Sequence, residues 1–408
     1  MRFPKDSTVR LTAAAASCWL LVSCGGNPET EPESPAETPH GYVEGAEETA
    51  EAQSRMIVAD ATTGALRVVD LITEEVTELG QVDGVDGIVG DGRFGYLDTV
   101  GDFVHVTDSG SWTVDHGDHV HYYRAEPREV GTVQGKQLTG AYSDPAVAAL
   151  SFSDGSVALL DQSQLGDGAI AETNRITGNP HEAVAVPYKE HILTSVAEAG
   201  QHLARGVEVR TRDGLPFANI DEPCPSLRGA AVTRRGVVFG CADGALLVTR
   251  EDGAFHGEKI GYPRPVGDEE RATEFTHRPL STTLAAKAGD DGVWLLDVSR
   301  KAWNEVRTGP TIAVNAVGEG APLLTLTDDG VLYAYDPESG EQIAKTNLLP
   351  AEVAKGTPAP VIQVDTTRAY VNNPSAGELY EIDYNDDLRR ARTLAVDGRA
   401  SYTVETGR

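Results

Sequence analysis

Three of the ten histidines in this chain lie within six consecutive positions, in the segment DHGDHVHYY of residues 115–123. Imidazole nitrogens and carboxylate oxygens are ordinary ligands of Zn²⁺, which takes about four of them in a tetrahedron. Alternate residues of a strand point to one face, so His119 and His121 would lie side by side, and Gly117 allows a tight turn next to them. We predict a Zn²⁺ site here; the alternative is a polar loop that happens to contain histidines. The predicted ligands are His116, Asp118, His119 and His121.

A second reactive residue is Cys24, which follows a short apolar segment near the N-terminus. Three basic residues precede or begin this segment, and residues 11–22 are largely apolar. A membrane-spanning helix needs about 20 apolar residues, so the segment suits the core of a signal peptide instead. The sequence LVSCGG at positions 21–26 resembles the lipobox of bacterial lipoproteins, in which the cysteine thiol takes the lipid. We predict a signal peptide over residues 1–23 and lipidation of Cys24; an ordinary signal with a chance cysteine is the alternative.

The other cysteines favour a disulfide. Cys18 and Cys24 belong to the predicted signal region, which leaves Cys224 and Cys241, 17 residues apart. Two cysteines of an exported domain are most simply paired, and a bridge over such a loop stabilises a protein by roughly 3 kcal/mol. Metal ligation by two thiolates is the alternative.

The segment between the lipid anchor and the folded domain has the composition of a flexible linker. Residues 25–54 are rich in Glu, Pro, Ser, Thr, Gly and Ala and cannot bury enough apolar surface to become ordered. We therefore predict an acidic leash over residues 24–54 and a folded domain over residues 55–408. The leash contains one histidine and several glutamates that could hold a metal ion loosely or simply be solvated: His40, Glu44, Glu47, Glu48 and Glu51.

The charge of the chain excludes some partners and favours others. The formal net charge is −29 at pH 7, and removal of the signal peptide would make it more negative. Nucleic-acid binding depends on Lys and Arg contacts to phosphates, so we expect no nucleic-acid partner. A strongly acidic surface attracts cations.

The elements that must position these residues are short strands. Strand-like runs joined by Asp- and Gly-containing turns recur, as in LSFSDGSVALLD at residues 150–161 and LTLTDDGVLYAYD at residues 324–336. The turn glycines Gly244, Gly292 and Gly330 lie 48 and 38 residues apart, a period typical of a β-propeller with four strands per blade. We predict an all-β propeller of eight blades, with seven as the alternative number and two β-sandwich domains as the alternative fold. The last strand would pair with the first blade and close the ring, which removes exposed sheet edges.

Alignment of the repeats by their turn glycines gives a second candidate group. Positions fifteen residues before a turn glycine, or close to the equivalent point of a repeat, are polar in several repeats. Such positions would begin the innermost strands and surround one mouth of the channel. Either a metal site or the ordinary polarity of a water-filled channel explains them. The residues are Asp86, His181, Arg228, His277 and Asn315, of which we predict Asp86, His181 and His277 as metal ligands.

Sequence motifs of common enzyme classes are absent. The sequence contains no serine-nucleophile motif, phosphate-binding loop or dinucleotide fingerprint. We therefore expect a protein that is not an enzyme.

Several segments resemble known families. The run Tyr370-Val-Asn-Asn373 resembles the strand of YVTN-type propellers. Three further features make the chain similar to the periplasmic zinc metallochaperones of the AztD type: residues 115–123 after a Ser-Trp strand, the Cys224-Pro-Ser-Leu-Arg-Gly229 segment with Cys241, and an acidic, histidine-containing leash. The resemblance implies Zn²⁺ as the bound metal, a disulfide, and a zinc ABC transporter as the partner.

These observations lead to two functional hypotheses. The first is an extracytoplasmic zinc metallochaperone, a monomer held at the membrane by Cys24, that delivers Zn²⁺ to the solute-binding protein of a zinc ABC transporter. The alternative is a propeller that serves as an interaction scaffold or sensor in the cell envelope and binds no metal.

Overall fold

The computed structural model describes residues 43–115, 119–356 and 358–407, and this part of the chain is almost entirely β-structure. Short runs rich in β-branched and other apolar residues form strands, and Gly- or Asp-containing turns end them. Gly330, between two strands, has a φ of +82°, and a Cβ atom there would collide with the backbone oxygen of Leu349. Gly330, one of the turn glycines that give the sequence its period, is therefore required by the backbone.

The strands are numbered in chain order. They are β1 (Glu47–Thr49), β2 (Arg55–Ala59), β3 (Ala65–Asp70), β4 (Val76–Gln81), β5 (Val85–Gly90), β6 (Phe94–Thr99), β7 (Phe103–Asp108), β8 (Ser111–Asp115), β9 (Val120–Arg124), β10 (Arg128–Gln134), β11 (Leu138–Ser143), β12 (Val147–Phe152), β13 (Val157–Asp161), β14 (Glu172–Ile176), β15 (Ala185–Tyr188), β16 (His191–Val196), β17 (Gly206–Thr211), β18 (Pro216–Asn219), β19 (Arg228–Thr233), β20 (Gly236–Cys241), β21 (Gly244–Glu251), β22 (Ala254–Gly261), β23 (Thr283–Lys287), β24 (Gly292–Asp297), β25 (Ala302–Arg307), β26 (Thr311–Ala316), β27 (Leu323–Thr327), β28 (Val331–Tyr335), β29 (Gln342–Asn347), β30 (Ile362–Val364), β31 (Ala369–Asn373), β32 (Glu378–Asp383), β33 (Arg389–Ala395) and β34 (Tyr402–Thr406). Two short helices, α1 (Gln162–Gly166) and α2 (Ala351–Ala354), follow β13 and β29. No helix among the described residues is long and apolar enough to cross a membrane.

Eight antiparallel sheets of the described residues follow the chain one after another, in the manner of propeller blades. Their strand orders are β34-β2-β3-β4, β10-β7-β6-β5, β11-β12-β13-β14, β15-β16-β17-β18, β19-β20-β21-β22, β23-β24-β25, β26-β27-β28-β29 and β30-β31-β32-β33. The predicted all-β propeller fold is confirmed. The number of blades stays a prediction, which this series of sheets supports.

The core consists of apolar layers between neighbouring sheets. Central strands such as β2 and β12 are buried along their whole length, whereas the outermost strand β22 alternates between exposed and partly buried positions. One layer joins Val209 and Leu193 to Val237 and Leu246 of the next sheet. Each sheet is therefore stabilised by its neighbours on both sides.

The last strand closes the ring, as predicted. β34 pairs with β2 in an antiparallel register from Ala59 opposite Tyr402 to Arg55 opposite Thr406. The innermost strands of neighbouring sheets contact one another and run in the same direction. We call the side on which they begin, at Val85 and Arg228, the upper face, and the side on which they end the lower face.

A ninth sheet stands apart from this series and has the order β1-β9-β8. The hairpin β8–β9 is inserted between the third strand β7 and the outermost strand β10 of one propeller sheet. Because successive strands alternate in direction, this connection lies on the lower face. β1 lies inside the segment predicted as a flexible leash, so residues Glu47–Thr49 of that segment belong to a sheet instead.

Candidate metal centre

The candidate metal centre lies at the tip of the inserted hairpin. β8 and β9 pair over their full length, with Val114 opposite His121. The predicted ligands His116 and Asp118 lie outside the described residues. His119 and His121 are described, and their ring centroids are 4.9 Å apart with the rings nearly perpendicular.

Aromatic packing fixes the strand that carries His121. Tyr123 follows two positions later on the same face, and the centroids of these two rings are 6.2 Å apart. Tyr123 is fully buried and stacks on Trp112 of β8 with the centroids 5.4 Å apart. The guanidinium of Arg93 covers the Trp112 ring at 3.8 Å. The stack therefore holds β9 in place and leaves its tip to present the histidines.

β1 brings a carboxylate to the same place. It pairs with β9 so that Glu48 lies opposite Tyr123, and Oε1 of Glu48 is 2.6 Å from Nδ1 of His121. Burial is the main cause that raises the pKa of Tyr123, and the charge of Glu48 raises it further. No spacing pattern in the sequence indicates this contact, because the two residues are 73 positions apart. The only available signal is the cluster of glutamates around β1.

The base of the hairpin is held by one buried side chain. Nη1 of Arg55 donates to the carbonyl oxygens of Ser109 and Ala125, at 2.7 and 2.8 Å. These residues lie just before β8 and just after β9. Gly110 between them has a φ of +69°, and a Cβ atom there would collide with the backbone of Ala125. The first strand of the propeller therefore fixes where the hairpin leaves the body.

In chemical terms, the described part of this centre offers two imidazoles and one carboxylate. Such groups are ordinary zinc ligands, or support ligands, in proteins. Within residues 43–115, 119–356 and 358–407, however, no group of three or more His, Cys, Asp or Glu side chains is arranged to hold a metal ion. A complete coordination shell would thus need at least one ligand beyond these ranges or a rearrangement within them.

His181, one of the predicted ring ligands, has a structural role. It is buried, with Nδ1 2.7 Å from the carbonyl oxygen of Asn179 and Nε2 2.8 Å from Oγ of Ser195. The carbonyl oxygen can only accept, so Nδ1 carries the proton and Nε2 accepts from the hydroxyl. Both ring nitrogens are therefore engaged in hydrogen bonds that tie the upper loop to the second strand of its sheet, which argues against ligation by His181.

The other ring positions do not lie at one mouth of the channel. Asp86 and Arg228 lie at the beginning of their innermost strands, on the upper face. Asn315 is next to last in β26, and His277 is bridged to the neighbouring Ala316, so both lie towards the lower face. The expected single ring is therefore wrong.

These side chains also have separate partners. Arg228 pairs with Glu182 at 2.7 Å, Nδ2 of Asn315 donates to the carbonyl oxygen of Ile362 at 2.7 Å, and Nε2 of His277 is 3.2 Å from the carbonyl oxygen of Val232. Asp86 is exposed. The burial of Asp98 raises the pKa of Asp98, and the charge of Asp86 raises it further.

For Asn315 the error in the ring comes from the length of one connection. The turn between the first two strands of the sheet that starts with β19 spans residues 234–235, whereas the connection after β26 spans residues 317–322. Counting back a fixed distance from Gly244 therefore reaches the beginning of an innermost strand, but counting back from Gly330 reaches its end. The repeat period in the sequence does not reveal this difference.

The predicted disulfide is confirmed. Cys224 and Cys241 are bonded, and both are fully buried. The bridge joins the segment before β19 to the end of β20, far along the chain from the hairpin. While the disulfide is formed, the two sulfur atoms are bonded to each other and do not serve as thiolate ligands for a metal.

The chain is similar in sequence to a known zinc chaperone. No family model matches the chain. It is 23% identical over 305 residues to the zinc chaperone AztD of Citrobacter koseri, and the alignment covers 72% of this chain and 71% of the relative.

Solved structures agree on the fold. The crystal structure of Citrobacter koseri AztD superposes with a TM-score of 0.75 at 20% identity and covers 87% of this chain and 98% of that one. The structure of apo AztD from the same organism gives a TM-score of 0.75 at 19% identity, with the same coverage. A more distant match, the dihydro-heme d1 dehydrogenase NirN, gives a TM-score of 0.56 at 13% identity over 88% of this chain and 76% of that one.

Proposed function

We propose that this chain is an extracytoplasmic zinc chaperone that carries Zn²⁺ on the inserted hairpin. The observation that carries the proposal is the juxtaposition of His119 and His121, with ring centroids 4.9 Å apart, at the tip of a hairpin that the rest of the fold holds rigidly at its base. Similarity to a zinc chaperone over most of the chain supports the same metal and the same kind of role.

The ligands we assign are His119 and His121, completed by His116 and Asp118 of the same loop. Neutral imidazoles and a carboxylate suit Zn²⁺, and three or four of them satisfy its tetrahedral preference. A tip loop of this kind also suits a carrier, because cargo bound at the end of a hairpin is accessible to an acceptor. We assign no catalytic reaction to the chain.

The charge of the protein supports a role in collecting cations. The formal net charge of −29 creates a negative potential that raises the local concentration of Zn²⁺. The Glu48 carboxylate beside His121 adds a negative charge at the site itself.

We further propose that Cys24 carries lipid and that the recipient is the solute-binding protein of a zinc ABC transporter. The N-terminal segment enters the described part of the chain next to β1, which is paired with the histidine-bearing strand β9. Residues Glu47–Thr49, which belong to the predicted tether, therefore lie beside the strand that carries His121. This arrangement supports transfer to a partner at the membrane surface.

Zinc binding by purified full-length chain tests the proposal. After removal of metal with a chelator and equilibrium dialysis against Zn²⁺, we expect about one tightly bound ion per chain in a tetrahedral site. The double substitution His119→Ala/His121→Ala removes two imidazole ligands and should abolish tight binding, as measured by metal analysis. His256→Ala, which removes an exposed histidine of β22, is the matched control and should bind zinc normally.

Equal zinc content in the double variant and the control would contradict the assigned site. Absence of tight zinc in the unaltered chain would favour the scaffold or sensor hypothesis instead. Incubation of the zinc-loaded chain with a metal-free zinc solute-binding protein, followed by separation and metal analysis, tests the recipient.

A further inference from the structure

The segment that precedes the propeller contributes to the metal centre through β1. This three-residue strand adds to the hairpin as an edge strand, with Glu47 opposite Arg124 and Thr49 opposite Tyr122. Oγ1 of Thr49 donates to the carbonyl oxygen of Tyr122 at 3.3 Å. β1 thus belongs to a three-stranded sheet whose central strand, β9, carries His121.

The contact between Glu48 and His121 has a defined chemical consequence. An ionised carboxylate can only accept hydrogen bonds, so at 2.6 Å the Nδ1 atom of His121 must be the donor. A neutral imidazole with its proton on Nδ1 carries the lone pair on Nε2, which is the form in which it binds a metal through Nε2. Carboxylates in this position orient metal-binding histidines and make the ring a better ligand.

We propose that Glu48 is a positioning residue of the zinc site, which sets the tautomer and orientation of His121 for ligation through Nε2. This inference rests on the proposed function of the hairpin. Because Glu48 lies on β1, zinc affinity depends on the pairing of the N-terminal segment with β9. The segment that we propose as the tether is therefore also part of the binding site.

Exposure separates this role from a role in folding. The side chain of Glu48 is 46% exposed and that of His121 is 25% exposed. A polar contact so open to solvent contributes little to stability. Its loss should therefore change zinc affinity without changing the unfolding transition.

Glu47 provides a matched control, because it lies on the same strand and carries the same charge. Its carboxylate is 74% exposed and lies 3.9 Å from Arg124 rather than beside a histidine. In the full-length chain, stripped of metal and titrated with Zn²⁺ against a chromophoric chelator, Glu48→Ala should weaken binding by about 10- to 100-fold. Glu47→Ala should bind zinc as the unaltered chain does.

The conservative variant distinguishes a positioning residue from a direct ligand. In Glu48→Gln the amide oxygen still accepts from Nδ1 of His121, so this variant should retain most of the affinity that Glu48→Ala loses. If Glu48→Gln binds as weakly as Glu48→Ala, or if Glu48→Ala binds as tightly as the unaltered chain, the positioning role is wrong.

A measurement without zinc separates this inference from the proposed function. The imidazole nitrogen chemical shifts of His121 in the metal-free chain should report a proton on Nδ1, and Glu48→Ala should move the tautomer towards a proton on Nε2. Identical shifts in the two proteins would overturn the positioning role whatever the zinc titration gives. A chain that shows the expected shifts but binds no zinc would contradict the proposed function alone.

Discussion

Arg55 connects the body of the propeller to the inserted hairpin. Its side chain is 8% exposed, lies 3.6 Å from the carboxylate of Asp70 and donates to two carbonyl oxygens at the hairpin base. Burial lowers the pKa of Arg55, and Asp70 opposes that effect. A buried guanidinium needs such partners, because an unpaired charge inside a protein is costly.

The partner carboxylate gives a pH-dependent prediction. Burial would raise the pKa of Asp70, but hydrogen bonds from the amides of Thr73 and Ile72 and the charge of Arg55 outweigh it, and the pKa is lowered. We expect Asp70→Asn to reduce the free energy of unfolding by about 2 kcal/mol at neutral pH, since the charge-assisted part of these contacts is lost. Urea unfolding of both proteins measures the difference.

That difference should disappear in acid. A carboxylate whose pKa is lowered by folding stabilises the protein above its unfolded pKa of about 3.9, and the stabilisation is lost as the pH falls through the folded pKa. Asp336→Asn is the comparison, because Asp336 accepts from the amides of Glu338 and Ser339 in a similar turn at the surface, and the hydrogen bonds of Ser339 lower its pKa as well. Its effect should be smaller than that of Asp70→Asn and should disappear in acid in the same way. A difference for Asp70→Asn that stays constant into acid would contradict the assignment.

Among the elements, β19 and β20 are the pair that a covalent bond reinforces. Cys224 and Cys241 lie in the apolar layer between two neighbouring sheets, together with Leu227 and Phe239. β19 itself is irregular, with a register shift between Arg228 and Ala230. The disulfide therefore holds a strand whose hydrogen-bond ladder is interrupted.

Removal of the disulfide should weaken this pair of strands. The double substitution Cys224→Ala/Cys241→Ala opens a loop with a sequence separation of 17, and should lower the free energy of unfolding by about 3 kcal/mol. A reducing agent should destabilise the unaltered chain by a similar amount and leave the double variant unchanged. Zinc binding should be retained in the variant, and its loss would revive the hypothesis of thiolate ligation.

At the scale of the whole molecule, stability depends on closure of the ring. The first sheet combines the last strand, β34, with the first propeller strand, β2, so the first and last strands of the propeller are held together. Gly407, just after β34, donates from its backbone nitrogen to the carbonyl oxygen of Gly92 at 2.7 Å, and its own carbonyl accepts from Thr113 of the hairpin. The end of the chain therefore supports both the ring and the candidate metal centre.

Deletion of residues 402–408 tests this closure. The deletion exposes the edge of β2 and the innermost faces of two sheets, so we expect loss of the cooperative unfolding transition and a tendency to associate through the exposed edge. Circular dichroism during urea unfolding and size-exclusion chromatography measure these effects. Val404→Ala, which keeps the strand and removes two buried methyl groups, should only lower stability modestly. A truncated chain with an unaltered transition would show that closure is unimportant.

The sequence by itself determined the features that depend on local chemistry. Alternating apolar runs and turn glycines such as Gly330 predicted the strands and the propeller, because a turn like the one at Gly330 needs a residue that tolerates positive φ. The pairing of Cys224 with Cys241 followed from the few cysteines available, and closure by the last strand followed from the need to cover sheet edges.

Only the tertiary structure decided which side chains meet. The contact between Glu48 and His121 joins residues 73 positions apart through an inserted hairpin, and no periodicity in the sequence marks that insertion. The expected ring failed because the connection after β26 is longer than the one after β19, which shifts Asn315 to the other end of its strand. Strand formation depends on neighbours along the chain, whereas a binding site depends on loop lengths and strand order that add up over the whole fold.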